Sequence, residues 1–380
     1  MRIINGTLLA MSDDGGRCVE RGYVDFEGAK ITSCGNMGDA PPYGGETFDA
    51  GGGYIVPGFI DAHTHIGLCE EGMDWQGDDC NETTDPIMPH LLASDGIYPF
   101  DTAIPKAVKA GVTSALVSPG SVNLIGGRIC AIKLAGSTVE EMLIKRVVAM
   151  KFALGENPKK HYGQKKERAP MTRMAVMAML REAFEQALRY KAKKSKGEDV
   201  YDQKHEALLS VLDGTIPAHF HAHRSDDIVS ALRICKQYNL RGVIIHGTDA
   251  RAVIDNVKSS GFPVVTGPSF GALGKIENRA KSFETAAALH RSGILFAITT
   301  DHDVEALEYL TTFAALSVRA GLDEYEALKA ITINPARIAG IDGRVGSIEP
   351  GKDADIVVFS GHPLDFRSKA TAVFINGRQC

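Results

Sequence analysis

The chain has 380 residues, of which 44% are hydrophobic and 23% are charged, and its formal net charge is −5. This composition is typical of a globular protein with a large core, and the lack of a basic cluster argues against a nucleic-acid partner. No apolar run is long enough to cross a bilayer. Seven scattered cysteines without CxxC spacing predict neither a disulfide framework nor a thiolate zinc site. We therefore expect a cytoplasmic protein that acts on a small molecule, without a nucleic-acid or membrane partner.

Both ends of the sequence predict short β-strands. Residues 1–55 contain short strands broken by glycine and turn residues, and residues 346–380 contain the apolar runs ADIVVF (354–359) and AVFI (372–375). Strands this short need partners before they can bury an apolar face. We predict that residues 1–55 and 346–380 pair into one small composite β-sandwich.

Between these ends, residues 56–345 alternate apolar runs with segments of helical period. Eight runs are strand candidates: 55–60, 113–117, 129–134, 147–153, 216–220, 242–245, 263–265 and 294–298. Eight strand-then-helix units predict an α/β protein with a closed, parallel (β/α)8 TIM-type barrel. The segment from about 156 to 213 is too long for a plain crossover, and we predict a helical insertion there, placed over the barrel mouth.

Two histidines follow the first barrel strand candidate directly. His63 and His65 stand two residues apart after YIVPGFIDA, so both side chains point to the same side of a strand. The carboxyl ends of barrel strands are where such barrels place their active sites. Imidazoles buried there without a metal would lose hydration for no packing gain.

Three later segments end in similar residues. IPAHFHAHR carries His221 and His223, VIIHG carries His246, and ITTDH carries Asp301. Any one of these residues alone could be a satisfied core or loop residue. Four strands that aim imidazole or carboxylate groups at one barrel mouth, however, predict a site for zinc or another borderline divalent cation.

The sequence resembles the amidohydrolase superfamily over nearly its whole length. The resemblance is carried by VPGFIDAHTH, by the histidines and the aspartate described above, by ALKAITINPARIAGI (327–341) and by VGSIEPGKDADIVVF (345–359). Within the superfamily it is most similar to the imidazolonepropionase-related group, which includes dipeptidases that cleave before proline. The resemblance implies a barrel enzyme that hydrolyses C–N bonds with one or two divalent metals, zinc first, with iron and manganese as alternatives.

The resemblance also implies ligand roles. His63 and His65 would bind the more buried metal, His221 and His246 would bind the second position, and Asp301 would bind metal and carry the proton of the attacking water. The bridging ligand is open between a carboxylated Lys151 and Glu156. We predict Glu156, because a glycine-flanked carboxylate at a strand end has no packing role.

One departure from related enzymes bears on the substrate. Imidazolonepropionase and the related deaminases resemble each other in a glutamate three residues after the strand-five histidine, where this chain has Arg224. Arginine cannot shuttle a proton at neutral pH, but its guanidinium can hold a carboxylate. The alternative for Arg224 is an ion pair with Asp226 or Asp227. His223 is a candidate for stabilising the oxyanion, and Asn123 and Arg128 are candidates for substrate contacts.

These observations predict a metal-dependent hydrolase that cleaves an amide in a carboxylate-bearing substrate, such as a dipeptide or an N-acyl amino acid. Two alternatives stay open. One is a cyclic-amide hydrolase or deaminase that acts on a heterocycle, and the other is a catalytically dead barrel that serves as a scaffold. Relatives implied by the resemblance are often oligomers, so we also expect a homo-oligomer.

Overall fold

The computed structural model describes residues 1–13 and 18–380. Two sheets of eight strands each organise the described residues. The strands are β1 (Arg2–Leu8), β2 (Val19–Glu27), β3 (Lys30–Asn36), β4 (Thr47–Asp49), β5 (Tyr54–Pro57), β6 (Phe59–Thr64), β7 (Val112–Val117), β8 (Ile125–Lys133), β9 (Leu143–Ala153), β10 (Ala218–Ala222), β11 (Gly242–His246), β12 (Val264–Thr266), β13 (Phe296–Ile298), β14 (Ile356–Phe359), β15 (Ala370–Ile375) and β16 (Arg378–Gln379).

The helices lie between these strands and mostly cover the barrel. They are α1 (Ala103–Lys109), α2 (Val139–Met142), α3 (Glu156–Pro158), α4 (Arg173–Ser195), α5 (Gln203–Leu212), α6 (Ser225–Tyr238), α7 (Ile254–Ser260), α8 (Glu284–Arg291), α9 (Leu310–Arg319), α10 (Glu324–Lys329) and α11 (Ile333–Ala339). A π-helical segment, Lys159–Lys165, follows α3. In the described part of the chain, no helix has the length and apolar character that crossing a bilayer requires.

The first sheet combines strands from both ends of the sequence. Its order is β16-β15-β14-β5-β1-β2-β3, and β4 pairs with β1. The β14 strand pairs antiparallel with β5, and β5 pairs parallel with β1. Pairing between the two ends, which the sequence predicts, is therefore present as one hydrogen-bonded sheet.

This sheet has a hydrophobic core of its own, which includes Ile356, Phe374 and Phe26. Ile356 is fully buried, and the rings of Phe26 and Phe374 lie 5.5 Å apart. We expect Ile356→Ala to lower the free energy of unfolding by about 2–5 kcal/mol, because the shorter side chain leaves a cavity. Urea-induced unfolding measures this loss, with Arg378→Ala on the exposed β16 as the control. Equal stabilities of the two variants would contradict the assigned packing.

The second sheet is the barrel. Its hydrogen-bonded order follows the sequence from β6 to β13. All neighbouring pairs are parallel except those that involve β8, which is antiparallel to both β7 and β9. Only residues 118–124 separate β7 from β8, and a parallel return needs a dozen or more residues. The expectation of eight parallel strand–helix units is therefore wrong at the third strand.

The barrel is nearly closed between its first and last strands. The Thr299 hydroxyl, just after β13, lies 2.6 Å from both the His63 carbonyl oxygen and Asp61 Oδ1, the two acceptors for its single proton. The backbone amide of Thr300 donates to Asp61 Oδ2 at 2.9 Å. Burial raises the pKa of Asp61 to about 6, although these hydrogen bonds oppose the shift. Asp61 thus fixes the end of β13 against β6, directly below the predicted metal ligands.

The segment between β9 and β10 is mainly helical, with α4 as its longest element. Leu180 and Phe184 of α4 are buried, and Phe184 packs against Phe152 of β9 and Tyr238 of α6 at ring distances of 5.8 and 4.9 Å. These contacts lie on the flank of the barrel. The α4 helix is therefore the crossover helix between β9 and β10. The packed part of α4 lies on the flank of the barrel and not over its mouth, where the insertion was predicted.

Candidate metal centre and active site

The predicted imidazole and carboxylate ligands meet at the carboxyl ends of four barrel strands. His63 lies near the end of β6, His65 directly follows this strand, His221 lies in β10, His246 ends β11, and Asp301 follows β13. Each of these residues is at most 9% exposed. His246 and Asp301 adopt positive φ angles of 73° and 57°, which non-glycine residues rarely adopt and which cluster at functional sites.

Backbone and hydroxyl oxygens orient three of the histidines. The Nδ1 atoms of His65 and His246 lie 2.7 Å from the carbonyl oxygens of Ser118 and Gly267. A carbonyl only accepts, so Nδ1 of each ring carries a proton, and the contact aims Nε2 at the cavity. His223 Nδ1 lies 2.7 Å from the Thr248 hydroxyl, and this contact fixes the ring in a similar way.

Several buried polar atoms in this cluster have no hydrogen-bond partner among the described residues. They are His63 Nδ1, both ring nitrogens of His221, and Asp301 Oδ1. Asp301 Oδ1 lies 3.4 Å from His63 Nε2 and 3.5 Å from His65 Nε2. Buried polar atoms without partners are rare in native proteins, so this cluster fits a bound cation.

The charge states of four of the five histidines also fit a cation; His65 is the exception, because burial is outweighed there by Cys80 and Asp301, which raise its pKa. Burial lowers the pKa of His63, His221 and His223 well below the ordinary value, and it lowers the pKa of His246 to about 4. These imidazoles are therefore neutral at pH 7 and can act as ligands. Burial opposes ionisation of Asp301, but His246 and His65 outweigh it and hold the pKa of this carboxyl below its usual value.

Two overlapping groups of side chains have ligand atoms within 4.8 Å of one another. One group is His63, His246 and Asp301, and the other is His221, His223 and His246. Because His246 belongs to both groups, the arrangement is compatible with two neighbouring cations.

Lys151, and not Glu156, lies beside these histidines. Lys151 is fully buried, and its Nζ lies 3.0 Å from His63 Nε2. Burial lowers the pKa of its ammonium to about 8. Glu156 lies three residues beyond the end of β9 in α3, is partly exposed, and belongs to none of the ligand groups found among the described residues. The reason is register: Lys151 pairs with His219 inside the sheet, whereas Glu156 has left the strand.

The structure does not bring the three predicted substrate-binding residues to the cavity. The Arg224 guanidinium donates two hydrogen bonds of 3.0 Å to Asp226, which is the ion pair considered from the sequence. The Asn123 amide donates to the Glu82 carbonyl at 2.6 Å and accepts from Tyr162 at 2.9 Å. The polar groups of Arg224 and Asn123 are therefore hydrogen-bonded to other residues of the protein.

Arg128 is placed in a similar way. It lies in β8, and one guanidinium nitrogen donates to the His90 carbonyl at 2.6 Å. The antiparallel β8 begins at the mouth, but Arg128 pairs with Met150 of β9, one residue from Lys151, so the side chains of Arg128 and Lys151 lie on opposite faces of the sheet.

The cavity beside the predicted ligands has a volume of about 310 Å³. Its walls include His65, His221, His223 and Asp301 together with two lysines, Lys275 and Lys281. Lys275 Nζ donates to Asn157 Oδ1 at 2.7 Å, and Lys281 Nζ donates to the Phe270 carbonyl at 3.1 Å. The cavity is therefore lined by imidazole, carboxylate and ammonium groups together.

Sequence reasoning missed Glu277, which lies in the loop between β12 and α8. It is 2% exposed, and burial raises its pKa. Its Oε1 lies 4.0 Å from the Nε2 atoms of both His221 and His223. Since GALGKIENR has neither helical nor strand periodicity, its sequence offered no signal that this glutamate is buried.

Histidine, lysine and aspartate side chains around one cavity at the carboxyl end of a barrel define a metal-dependent hydrolase. The sequence pattern of the Amidohydrolase family matches residues 54–380. The chain belongs to this family.

Two related proteins support membership in this family. Amidohydrolase tasK of Hapsidospora irregularis is 28% identical over 389 aligned positions, which cover 94% of this chain and 39% of that longer protein. The imidazolonepropionase of Maricaulis maris (strain MCS10) is 23% identical over 92% of this chain and 90% of its own length. The resemblance to the imidazolonepropionase-related group is thus confirmed.

Solved structures share the fold. An amidohydrolase from Thermotoga maritima MSB8 superposes with a TM-score of 0.95 at 40% identity, over 100% of this chain and 98% of that chain. A Xaa-Pro dipeptidase with methionine in its active site superposes with a TM-score of 0.58 at 16% identity, over 100% and 99% of the two chains. The second likeness concerns the fold alone.

Proposed function

We propose that the chain hydrolyses an amide-type C–N bond in a small substrate that carries a carboxylate, such as a dipeptide or an N-acyl amino acid. The observation that carries this proposal is the position of Asp301. Its buried Oδ1 has no hydrogen-bond partner among the described residues and lies 3.4 Å from His63 Nε2 and 3.5 Å from His65 Nε2, and Asp301 borders a cavity that two lysines also line.

We assign the cation ligands to His63, His65, Lys151, His221, His246 and Asp301, with Lys151 in its carboxylated form in place of Glu156. Zinc is the first candidate, because imidazole and carboxylate ligands suit it, and iron and manganese are the alternatives. A bound divalent cation supplies Lewis acidity: it polarises a carbonyl and lowers the pKa of water to about 7.

Asp301 carries the proton in this proposal. As a carboxylate, it takes a proton from the attacking water and returns it to the leaving nitrogen, acting first as general base and then as general acid. The Asp61 network keeps Asp301 in place, because the Thr299 hydroxyl that accepts from the Asp301 amide at 3.0 Å is itself bonded to Asp61.

Lys281 and Lys275, which line the cavity, take the carboxylate-binding role predicted for Arg224. We expect Lys281→Met to raise KM for carboxylate substrates about 10- to 100-fold, since a hydrogen bond to a charged group contributes roughly 1.5–3 kcal/mol. Steady-state kinetics on an N-acyl amino acid and on its carboxamide measure this effect, and the carboxamide serves as the control. If Arg224→Met raises KM and Lys281→Met does not, the assignment to the lysines is wrong.

A substrate panel tests the proposal as a whole. Purified protein with measured metal content is assayed with dipeptides, N-acyl amino acids, cyclic amides and aminated heterocycles. Amine or amino-acid release that disappears on chelation supports the proposal. Ammonia release from a heterocycle would instead identify a deaminase. Protein that takes up no zinc, iron or manganese would support the scaffold alternative.

A further inference from the structure

Two cysteines lie side by side in the loop that follows β6. Cys69 pairs with Asp78 in an isolated antiparallel bridge, and the Asp79 amide donates to the Leu68 carbonyl at 2.8 Å. The loop therefore folds back on itself and brings Cys80 next to Cys69. The Sγ atoms of the two cysteines and a carboxylate oxygen of Asp78 all lie within 4.8 Å of one another.

Both cysteines are free thiols that border the cavity beside the predicted metal ligands. Cys80 is 5% exposed, whereas Cys69 is partly exposed and also lines a neighbouring cavity of about 460 Å³. A small reagent in solution can therefore reach the pair from the cavities. The loop residues 71–76 between the two cysteines are exposed, so little packing opposes a small movement of the loop.

The Asp78 carboxylate holds the two cysteines relative to each other. Its Oδ1 accepts from the Cys80 amide at 3.2 Å and from the Cys69 thiol at 3.7 Å. A disulfide has a sulfur–sulfur distance of about 2.0 Å, and the two Sγ atoms already lie within 4.8 Å. They have to approach each other by at most about 3 Å, which side-chain rotation with a small loop movement supplies.

We propose that Cys69 and Cys80 form a reversible oxidation site, at which hydrogen peroxide converts the two thiols into a disulfide. The O–O bond of the peroxide breaks as one sulfur takes up an oxygen, which gives a sulfenic acid and one water. The second thiol then displaces the hydroxyl group as another water, and the S–S bond forms. The thiols lose two electrons, the peroxide gains them, and both thiol protons end in water.

The disulfide would change the surroundings of His65. Cys80 interacts with the His65 side chain in the reduced protein, whereas in the oxidised protein its sulfur is bonded to Cys69. Loss of a contact to a metal ligand lowers metal affinity or activity about 10- to 100-fold. We therefore expect peroxide to lower turnover at least about tenfold, and dithiothreitol to restore it. This consequence rests on the proposed function, but the disulfide itself does not.

Peptide mapping of peroxide-treated protein tests for the disulfide without an activity assay. Trypsin leaves both cysteines in one peptide, because no lysine or arginine lies between residues 31 and 105. A glutamate-specific protease separates them by cleavage after Glu70 or Glu71. Without reductant, we expect a linked pair of peptides that is two hydrogen atoms lighter than the two thiol peptides together. Dithiothreitol should separate the pair.

Two variants serve as the comparison. Cys69→Ser should give no linked pair and should keep its turnover in peroxide. Cys380→Ser removes an exposed cysteine outside this loop and should behave as the wild type does. Recovery in dithiothreitol separates the disulfide from methionine sulfoxide, whose repair needs a dedicated reductase.

The outcomes separate the oxidation site from the proposed function. Wild-type protein in which Cys69 and Cys80 stay reduced, oxidise singly, or link to another chain would overturn the oxidation site, whatever the protein hydrolyses. A linked pair in a protein that hydrolyses none of the substrates would support the site and contradict the proposed function. A linked pair with unchanged turnover would support the site and overturn its effect on activity.

Discussion

Asp301→Asn is expected to lower kcat about 10²- to 10⁴-fold, the contribution of a well-placed general acid–base group. The amide cannot accept the proton of the attacking water, yet it has nearly the size of the carboxylate. The Thr299 contact to the backbone amide of residue 301 does not depend on the side chain, so the fold at the end of β13 should persist.

Turnover of the best substrate from the panel measures this loss, together with metal content and the circular dichroism spectrum. Asp303→Asn is the matched control, because Asp303 also borders the cavity but is exposed and belongs to no ligand group among the described residues. We expect it to change kcat far less. If Asp301→Asn keeps kcat within about tenfold of the wild type, Asp301 is not the proton carrier, whose contribution exceeds that range.

Lys151→Ala is expected to abolish binding of at least one metal and to reduce activity to the background. In the proposed centre the neutral amine of Lys151 combines with CO2 to give a carbamate and a proton, and the carbamate oxygens become ligands. The apolar alanine offers no ligand atom. Removal of the ammonium also leaves His63 Nε2 without its 3.0 Å contact.

Elemental analysis of wild type, Lys151→Ala and Glu156→Gln decides between the two bridging ligands considered from the sequence. Lys145→Ala, an exposed lysine on the same strand, is the control. Loss of metal in Glu156→Gln but not in Lys151→Ala would reverse the assignment to Lys151.

The rate of metal uptake in bicarbonate should depend on pH. Only the neutral amine forms a carbamate, and burial lowers the pKa of Lys151 to about 8. The neutral fraction in the apo protein therefore rises with pH through this value, so uptake should be faster at pH 8.5 than at pH 6.5. An uptake rate that is independent of bicarbonate at both pH values would argue against carboxylation.

Much of the barrel could be predicted from the sequence, because apolar strands that end in histidine or aspartate carry a local signal. The five residues predicted as ligands, His63, His65, His221, His246 and Asp301, lie at one end of the barrel because parallel strands bring their carboxyl ends to one side. The direction of β8 could not be predicted in this way. A buried strand has the same apolar pattern whether it is parallel or antiparallel, and only the short connection from β7 indicates the difference.

The positions of the other residues at the site depend on contacts that produce no periodic pattern in the sequence. Whether Lys151 or Glu156 lies beside the histidines depends on the residue at which β9 ends, and strand ends are the least certain part of a prediction from sequence. Lys275 and Lys281 reach the cavity from an irregular loop, and Glu277 of the same loop lies close to His221 and His223. Their positions depend on the path of that loop across the barrel. The residues next to them in the sequence do not predict this path.

The pairing of β5 with β14 has a consequence for biosynthesis. Gly58 alone separates β5 from β6, the strand that ends in His63, and β14 borders β5 from a position about 300 residues later. At translation rates of about 5–20 residues per second, these two strands leave the ribosome about 15–60 s apart. The first two histidines of the predicted centre are therefore made well before the strand that borders β5. We expect nascent chains to acquire a metal only after β14 has been translated, so that metal offered earlier in synthesis contributes little to the amount of metal-loaded protein.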